Sequence, residues 1–481
     1  VQGDPGTGVF IGLGLDPNTT NFHLRWASLP NTENAGPPLT ANRTMGALGS
    51  IAASRIARAF GFGGPSFTCC SEESSAGRAI ELAVRALRRG ELDRALVGGV
   101  DMAGDPRTVL RQPAGRLPGE GAAAVILKRL RDAERDGDRV YAVISGIGSA
   151  VGGPPTATGP DAATVASAFL RACSDAVIDP ATVSYLDASF SGDPNDDAGE
   201  HEALHALLRA TQRSIPLAVG AVRQQVGHSG AASALAGVIK SGLALATQIL
   251  PPSEIWTAEG VSPCGSRFWL KDDDDGPRRA AVAATGADGT VTHLILEEAV
   301  TAASDLDGQP LGARPEALFV VEGDTAGELV SGMAKLADMA LSAENRPVEF
   351  LARSWWRQMP TATPQRAVSF VARSPRELQE QLTFARESIE QHPETPIPEP
   401  GTTELRGSFR DRIFYAPRPL GSAVRVAFVF PGSGNAYPGM GRELGLLFPE
   451  ILRRQQQENR LLRSQYAPEQ FWTETIPQNT T

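Results

Sequence analysis

The sequence predicts an α/β fold divided into more than one domain, and three observations carry this. Residues 1–300 mix glycine-rich turns, short apolar runs of strand length and alanine-rich helical stretches. A polar stretch bearing Gly and Pro at 301–317 interrupts that texture, which then resumes on a smaller scale. A length of 481 residues exceeds what one compact core accommodates, so two or three domains are expected.

In chain order, 8–15 reads as a buried strand ending at Asp16-Pro17. The stretch 75–89 places Ala79, Ile80, Ala83 and Leu87 on one helical face and is followed by Gly90, which suits a helix end. A short strand at 94–100 closes on Gly98-Gly99-Val100, and 121–127 and 140–147 read as two more. The stretch 231–246 is a helix of small residues able to pack closely on a sheet. Strands at 280–285 and 291–297 flank Gly286-Ala287-Asp288-Gly289, a good hairpin turn. Beyond the boundary, 317–321, 325–341, 367–372 and 375–392 read as strand, helix, strand, helix. The proline-rich 393–407 is an extended connector, 424–430 a buried strand opening onto Pro431-Gly432-Ser433-Gly434, and 451–466 a polar helix.

Composition narrows the function classes. Hydrophobic residues at 41% and charged residues at 21% fit an ordinary globular protein. The apolar runs fall short of a bilayer span, and no secretory signal opens the chain, so no membrane is expected and the cytoplasm is the default location. A net charge of -10 with scattered basic residues argues against a nucleic-acid partner. Cys69, Cys70, Cys173 and Cys264 lack metal-site spacing and are too few for a disulfide framework, so no metal is expected. The acidic run 272–275 reads as a solvated loop tip. The chain begins without Met and ends soon after a new motif starts, and it reads as a piece of something larger.

Four motifs then stand in order. Gly64-Pro65-Ser66-Phe67-Thr68 is followed by Ser74-Ser75-Ala76-Gly77 and a helix. Ala95–Val100 follows, then Gly119-Glu120-Gly121-Ala122 with Lys128-Arg129, and finally Val226-Gly227-His228-Ser229. Together they resemble the β-ketoacyl synthases. The resemblance implies a thiolase-like αβαβα layered domain over 1–300, incomplete at its N-terminus because the family's opening strand and helix are not present. It further implies a small α/β linker domain over 301–420 and the start of an acyltransferase domain over 421–481, where 427–441 resembles the opening of malonyl/acyl-transferases.

In this family an acyl chain is taken onto a cysteine at a helix N-terminus, where the helix dipole favours the thiolate. Two histidines then polarise the malonyl thioester so that decarboxylation yields a carbanion. Here Glu73 takes the nucleophile position, Ser189 stands where the first histidine is expected, and His228 retains the second. Arg223 replaces the family lysine, and Ser433 replaces the glutamine of the acyltransferase opening loop. Ser74, Arg223 and Ser433 are the candidate substrate contacts.

This pattern is similar to chain-length factors, and the Ser71-Glu72-Glu73-Ser74-Ser75 string to those of multifunctional polyunsaturated fatty acid synthases. The implied role is that of a non-condensing partner that dimerises with an active β-ketoacyl synthase and shapes acyl chain length. The implied partners are an acyl carrier protein bearing acyl- or malonyl-phosphopantetheine, and an acyltransferase domain on the same polypeptide. The chain itself holds no covalent cofactor. Two alternatives stay open, a malonyl-carrier-protein decarboxylase using His228 and Glu73, and a structural scaffold between synthase and acyltransferase.

Each residue also has a plainer role. Glu73 can be a buried acid stabilised at a helix start, and Cys69 and Cys70 core thiols. His228 can be a relic held by backbone hydrogen bonds. His201 and His205 lie one helical turn apart, and a solvated helix face is expected there rather than zinc. His23 and His293 read as structural. The stretch 156–160 can line a pantetheine entrance or be a plain surface loop.

Overall fold

The computed structural model describes residues 4–14, 40–42, 45, 48–102, 109–110, 118–153, 160–190, 194–210, 213, 215–257, 260–286, 288–299, 316–342, 346–358, 365–398, 409, 411–419, 425, 427, 429, 434–435 and 437–472. The chain divides into two compact units, 1–309 with 436–481, and 310–435.

The larger unit is built on two sheets. The first contains β1 (Thr7–Leu13), β2 (Ser66–Cys69), β3 (Arg94–Asp101) and β4 (Gly121–Lys128), in the order β2-β1-β3-β4. The second contains β5 (Val143–Val151), β6 (Tyr185–Asp187), β7 (Leu217–Gly220), β9 (Ser253–Trp256), β10 (Val261–Cys264), β12 (Arg279–Thr285) and β13 (Thr290–Glu297), in the order β10-β9-β7-β6-β12-β13-β5. The short strands β8 (Ile249–Leu250) and β11 (Arg267–Phe268) pair apart.

The two sheets repeat one logic. In each, the first three of the matched strands run parallel and the fourth is antiparallel, so β2-β1-β3-β4 corresponds to β7-β6-β12-β13. Only the second sheet continues, with β5 antiparallel to β13. Among the described residues no strand takes the corresponding place beside β4.

Two helices, Ser75–Arg88 and Ser233–Thr247, lie between the sheets. Ala76, Ala79, Ile80 and Leu87 of one and Ala234, Leu235 and Leu245 of the other share a core with Phe10, Val97, Val282 and Leu294. The window 230–247 is long and apolar enough to cross a membrane by composition alone, and burial between the sheets is the use the fold makes of it. Outside, the helix Ile51–Phe60 covers Val9 and Ile11. The helices Ala162–Ala176 and Pro194–Ala210 cover the second sheet through Phe169, Leu204 and Leu208. The result is the expected αβαβα layering.

The acidic run 272–275 is not a solvated tip. Arg463 Nε donates to Asp275 at 2.9 Å, Arg460 Nε to Asp273 at 3.2 Å, and the Ser464 N–H to Asp272 at 3.1 Å. Leu452, Leu462 and Trp472 pack on Phe268 and Leu270 beside it, so the C-terminal helices are clasped to the larger unit by charge and apolar contact together. The polar helix expected at 451–466 is two helices, Pro449–Glu458 and Leu462–Tyr466. Asn459 leaves the helical conformation between them, and its side chain accepts from the Leu461 N–H at 3.0 Å.

The smaller unit is a three-stranded antiparallel sheet of β14 (Ala317–Gly323), β15 (Arg366–Ala372) and β16 (Ile413–Ala416). The helices Ala326–Ser342 and Pro375–Gln391 pack on one face of it, burying Phe319, Val368, Phe370, Leu336 and Leu382. It is a small α/β unit, as expected. Of the strand expected at 424–430 only 425, 427 and 429 are among the described residues, and Ser433 lies outside them.

Candidate functional site

The site is built around the turn between β2 and the helix Ser75–Arg88. At Gly12 a Cβ would come 2.5 Å from the Ala76 N, and at Gly99 one would come 2.9 Å from the Ala76 Cβ. Glycine at these two places lets the helix start settle directly on β1 and β3. The turn itself is tight, with Glu72 at φ 44, a left-handed conformation that non-glycine residues seldom adopt. Ser75 locks it, its Oγ accepting from the Ser71 N–H at 2.8 Å and lying 2.6 Å from the Glu72 carbonyl and 3.0 Å from that of Leu13.

Glu73 therefore stands at the start of a long helix, where the backbone dipoles favour a negative charge. The His228 Nε2 lies 3.7 Å from its Oε1. The Gly230 N–H donates to His228 Nδ1 at 3.4 Å, which leaves Nε2 as the ring nitrogen that faces Glu73. The backbone of His228 is held by a bridge to Pro118, with the Gly119 N–H donating to its carbonyl at 3.1 Å.

A third group belongs here that sequence reasoning did not find. Asp101, the last residue of β3, accepts from the Ala231 N–H at 2.9 Å. Burial raises its carboxyl above the usual range, and the charge of Glu73 raises it further. The available signal was its place, one residue past the Gly98-Gly99-Val100 strand end, where the chain leaves a central strand.

The second half of the unit supplies Ser189, Arg223 and Glu200. The Ser189 Oγ lies 2.7 Å from Thr285 Oγ1 and accepts from the Thr285 N–H at 3.2 Å. Its backbone is fixed from both sides, as the Glu200 carboxylate accepts from the Ser189 N–H at 2.9 and 3.1 Å and Arg223 Nη1 donates to the Ser189 carbonyl at 3.0 Å. Burial pushes Glu200 up to about 7, against the lowering effect of the Ser189 N–H. The two halves meet at the hairpin turn after Thr285, where a Cβ on Gly286 would come 3.0 Å from the Oγ of the fully buried Ser74.

The chemistry follows from these groups. No thiolate stands at the helix start. The Cys69 thiol is raised by burial, and its Sγ lies 3.4 Å from the Ser75 carbonyl. Cys70 is exposed rather than a core thiol. The Ser189 hydroxyl is engaged by that of Thr285. Among the described residues no group of three or more His, Cys, Asp or Glu is placed to hold a metal ion.

The remaining histidines lie elsewhere. His201 stacks on Phe190 at 4.4 Å and His205 lies 4.9 Å from Trp256, so that helix face packs on aromatic rings rather than on solvent. His293 is buried edge-on to Phe169 at 5.5 Å. The stretch 156–159 and His23 lie outside the described residues.

The chain matches the beta-ketoacyl synthase N-terminal domain over residues 1–133 and the beta-ketoacyl synthase C-terminal domain over 141–255, together more than half of its length. It is 31% identical over 480 residues to the spectinabilin polyketide synthase system protein NorA of Streptomyces orinoci, covering 92% of this chain and 23% of that protein. It is 31% identical over 478 residues to the pikromycin polyketide synthase component PikAIII of Streptomyces venezuelae, covering 93% and 28%. The chain thus spans about a quarter of the length of these curated relatives. Among solved structures it is similar to the ketosynthase from module 6 of the bacillaene synthase from Bacillus subtilis 168, with TM-score 0.50, 25% identity and coverage of 80% and 68%. An oxazolomycin ketosynthase domain from Streptomyces albus JA3453 gives TM-score 0.50, 25% identity and coverage of 79% and 69%.

Proposed function

The chain belongs to the beta-ketoacyl synthase family, and on that premise we propose that it is a non-condensing ketosynthase-like domain that pairs with an active β-ketoacyl synthase and shapes acyl chain length. The observation that carries this reading is the carboxylate of Glu73 at the start of the elbow helix, 3.7 Å from His228, where condensation needs a thiolate. Ser189, tied to Thr285, leaves the second requirement unmet as well.

The pairing surface in this reading is the side of β2 that faces away from β1, which no strand covers among the described residues. Phe67 on β2 is 39% exposed, and Phe60, 62% exposed, stacks on Phe62 at 5.6 Å nearby in the chain. An apolar sheet edge favours strand-to-strand pairing with a second subunit. The remaining parts of the proposal are acyl groups carried as phosphopantetheine thioesters on a carrier protein, the smaller unit as a synthase–acyltransferase linker, and an acyltransferase on the same polypeptide.

The test is reconstitution with the condensing ketosynthase that accompanies this chain. The pair is expected to co-elute and to yield a product pool of defined length, while Phe67→Asp abolishes co-elution and broadens or shortens the products. A partner synthase that makes the same products without this chain contradicts the proposal.

A further inference from the structure

The carboxyl group that replaces the nucleophile is not isolated. Asp101 lies near enough for the charge of Glu73 to act on its carboxyl, and the Ala231 N–H holds one of its oxygens. The Glu73 position is fixed by the tight turn at Glu72 and the Ser75 lock. Asp101 is wedged at the end of β3, where a Cβ on Gly14 would come 2.7 Å and one on Gly230 2.1 Å from its Oδ2. The glycine pair thus makes room for this carboxylate, and the Ala231 N–H orients it beside the loop that carries His228. The imidazole faces Glu73, and Asp101 stands close enough to Glu73 for its charge to be felt.

A site that decarboxylates a malonyl thioester must accept the malonyl carboxylate close to the elbow. Two carboxylates about 5 Å apart in a region of effective dielectric ~20 repel strongly enough to weaken binding by tenfold or more. A neutral acyl thioester meets no such repulsion.

We propose that Glu73 and Asp101 act together as specificity determinants that close this site to malonyl-type thioesters and leave it open to neutral acyl thioesters. This rests on the reading of the site as one that receives pantetheine-linked acyl groups. It names the substrate class and sets aside the malonyl decarboxylase role that His228 with Glu73 otherwise suggests. Neither acid forms a covalent bond in this role.

The test measures binding of acetyl-pantetheine and malonyl-pantetheine to the full chain by calorimetry, with Glu73→Gln, Asp101→Asn and the double variant alongside. The amide replacements keep size and shape, and circular dichroism checks that each variant is folded. The unaltered chain is expected to bind acetyl-pantetheine at least tenfold more tightly than malonyl-pantetheine. Each single variant narrows that ratio and the double variant brings it close to one. Equal affinities in the unaltered chain, or a ratio that survives the double variant, overturns the inference and leaves the non-condensing assignment, which is read from product length, standing. Failure of both thioesters to bind overturns the inference together with the view that the site receives acyl groups.

Discussion

The two halves of the larger unit share a strand order and differ in what surrounds it. In the second half β13 is flanked on both sides, by β12 and β5, and two long helices cover the outer face. Its polar groups are sealed, with Asp187, Glu200 and His293 all buried. In the first half β4 has a partner on one side only among the described residues, and Ile126 on it is 59% exposed. The acids of this half, Glu73 and Asp101, are only partly buried. Surroundings rather than residue type decide how a carboxyl behaves: the sealed Glu200 is pushed up to about 7 although its two oxygens share the Ser189 N–H.

The largest effect that could break this comparison lies in the second half. Asp187 is paired with Lys240 Nζ at 2.9 Å, with the Tyr185 hydroxyl at 3.2 Å from the same oxygen, and burial raises its carboxyl despite the ammonium. Lys240→Met leaves a buried acid without its cation and is expected to cost about 3–5 kcal/mol in a denaturant titration. A loss under ~1 kcal/mol would mean that this half is wetter than its packing implies.

His293 gives the next effect. Burial lowers its pKa to about 4 from 6.5, so between these values the unfolded chain binds more protons than the folded one. Its contribution is complete above pH 6.5 and is lost as pH falls toward 4, about 3 kcal/mol in all. Glu200 acts in the opposite sense. Raised from 4.5 to about 7, it contributes below pH 4.5 and its share is lost as pH rises through 7. His293→Phe should therefore leave stability that only declines between pH 4.5 and 7, measured by thermal unfolding across that range. An unchanged acid limb would show that the ring is not sealed.

The smallest effect sharpens the contrast. Ile126→Ser on the open strand is expected to shift stability by no more than ~0.5 kcal/mol. Leu294→Ala on sealed β13 should cost about 2–5 kcal/mol by the same measurement.

What the sequence discloses divides along physical lines. Glu73, Ser189, Arg223 and His228 can be singled out from sequence because each stands at a fixed short distance from a recognisable local motif. The central helices were legible from their apolar faces. Asp101 was not, since a single acid after a strand carries no spacing of its own and gains its role only when Ala231, 130 residues away, folds beside it. The acidic run 272–275 misled for the same reason, because its cations lie 188 residues further on, at Arg463. The helix Ile51–Phe60 left a signal that could have been used, with Ala53 and Ala57 on one face and Gly61 as a left-handed cap.

The most direct test of the missing nucleophile is the intact mass of the chain after incubation with an acyl-pantetheine thioester. The account predicts no mass gain in the unaltered protein and acylation of Glu73→Cys, which shares the same elbow and helix start. Acylation of the unaltered chain, mapped by peptide mass to Glu73, Cys69 or Cys70, would contradict it.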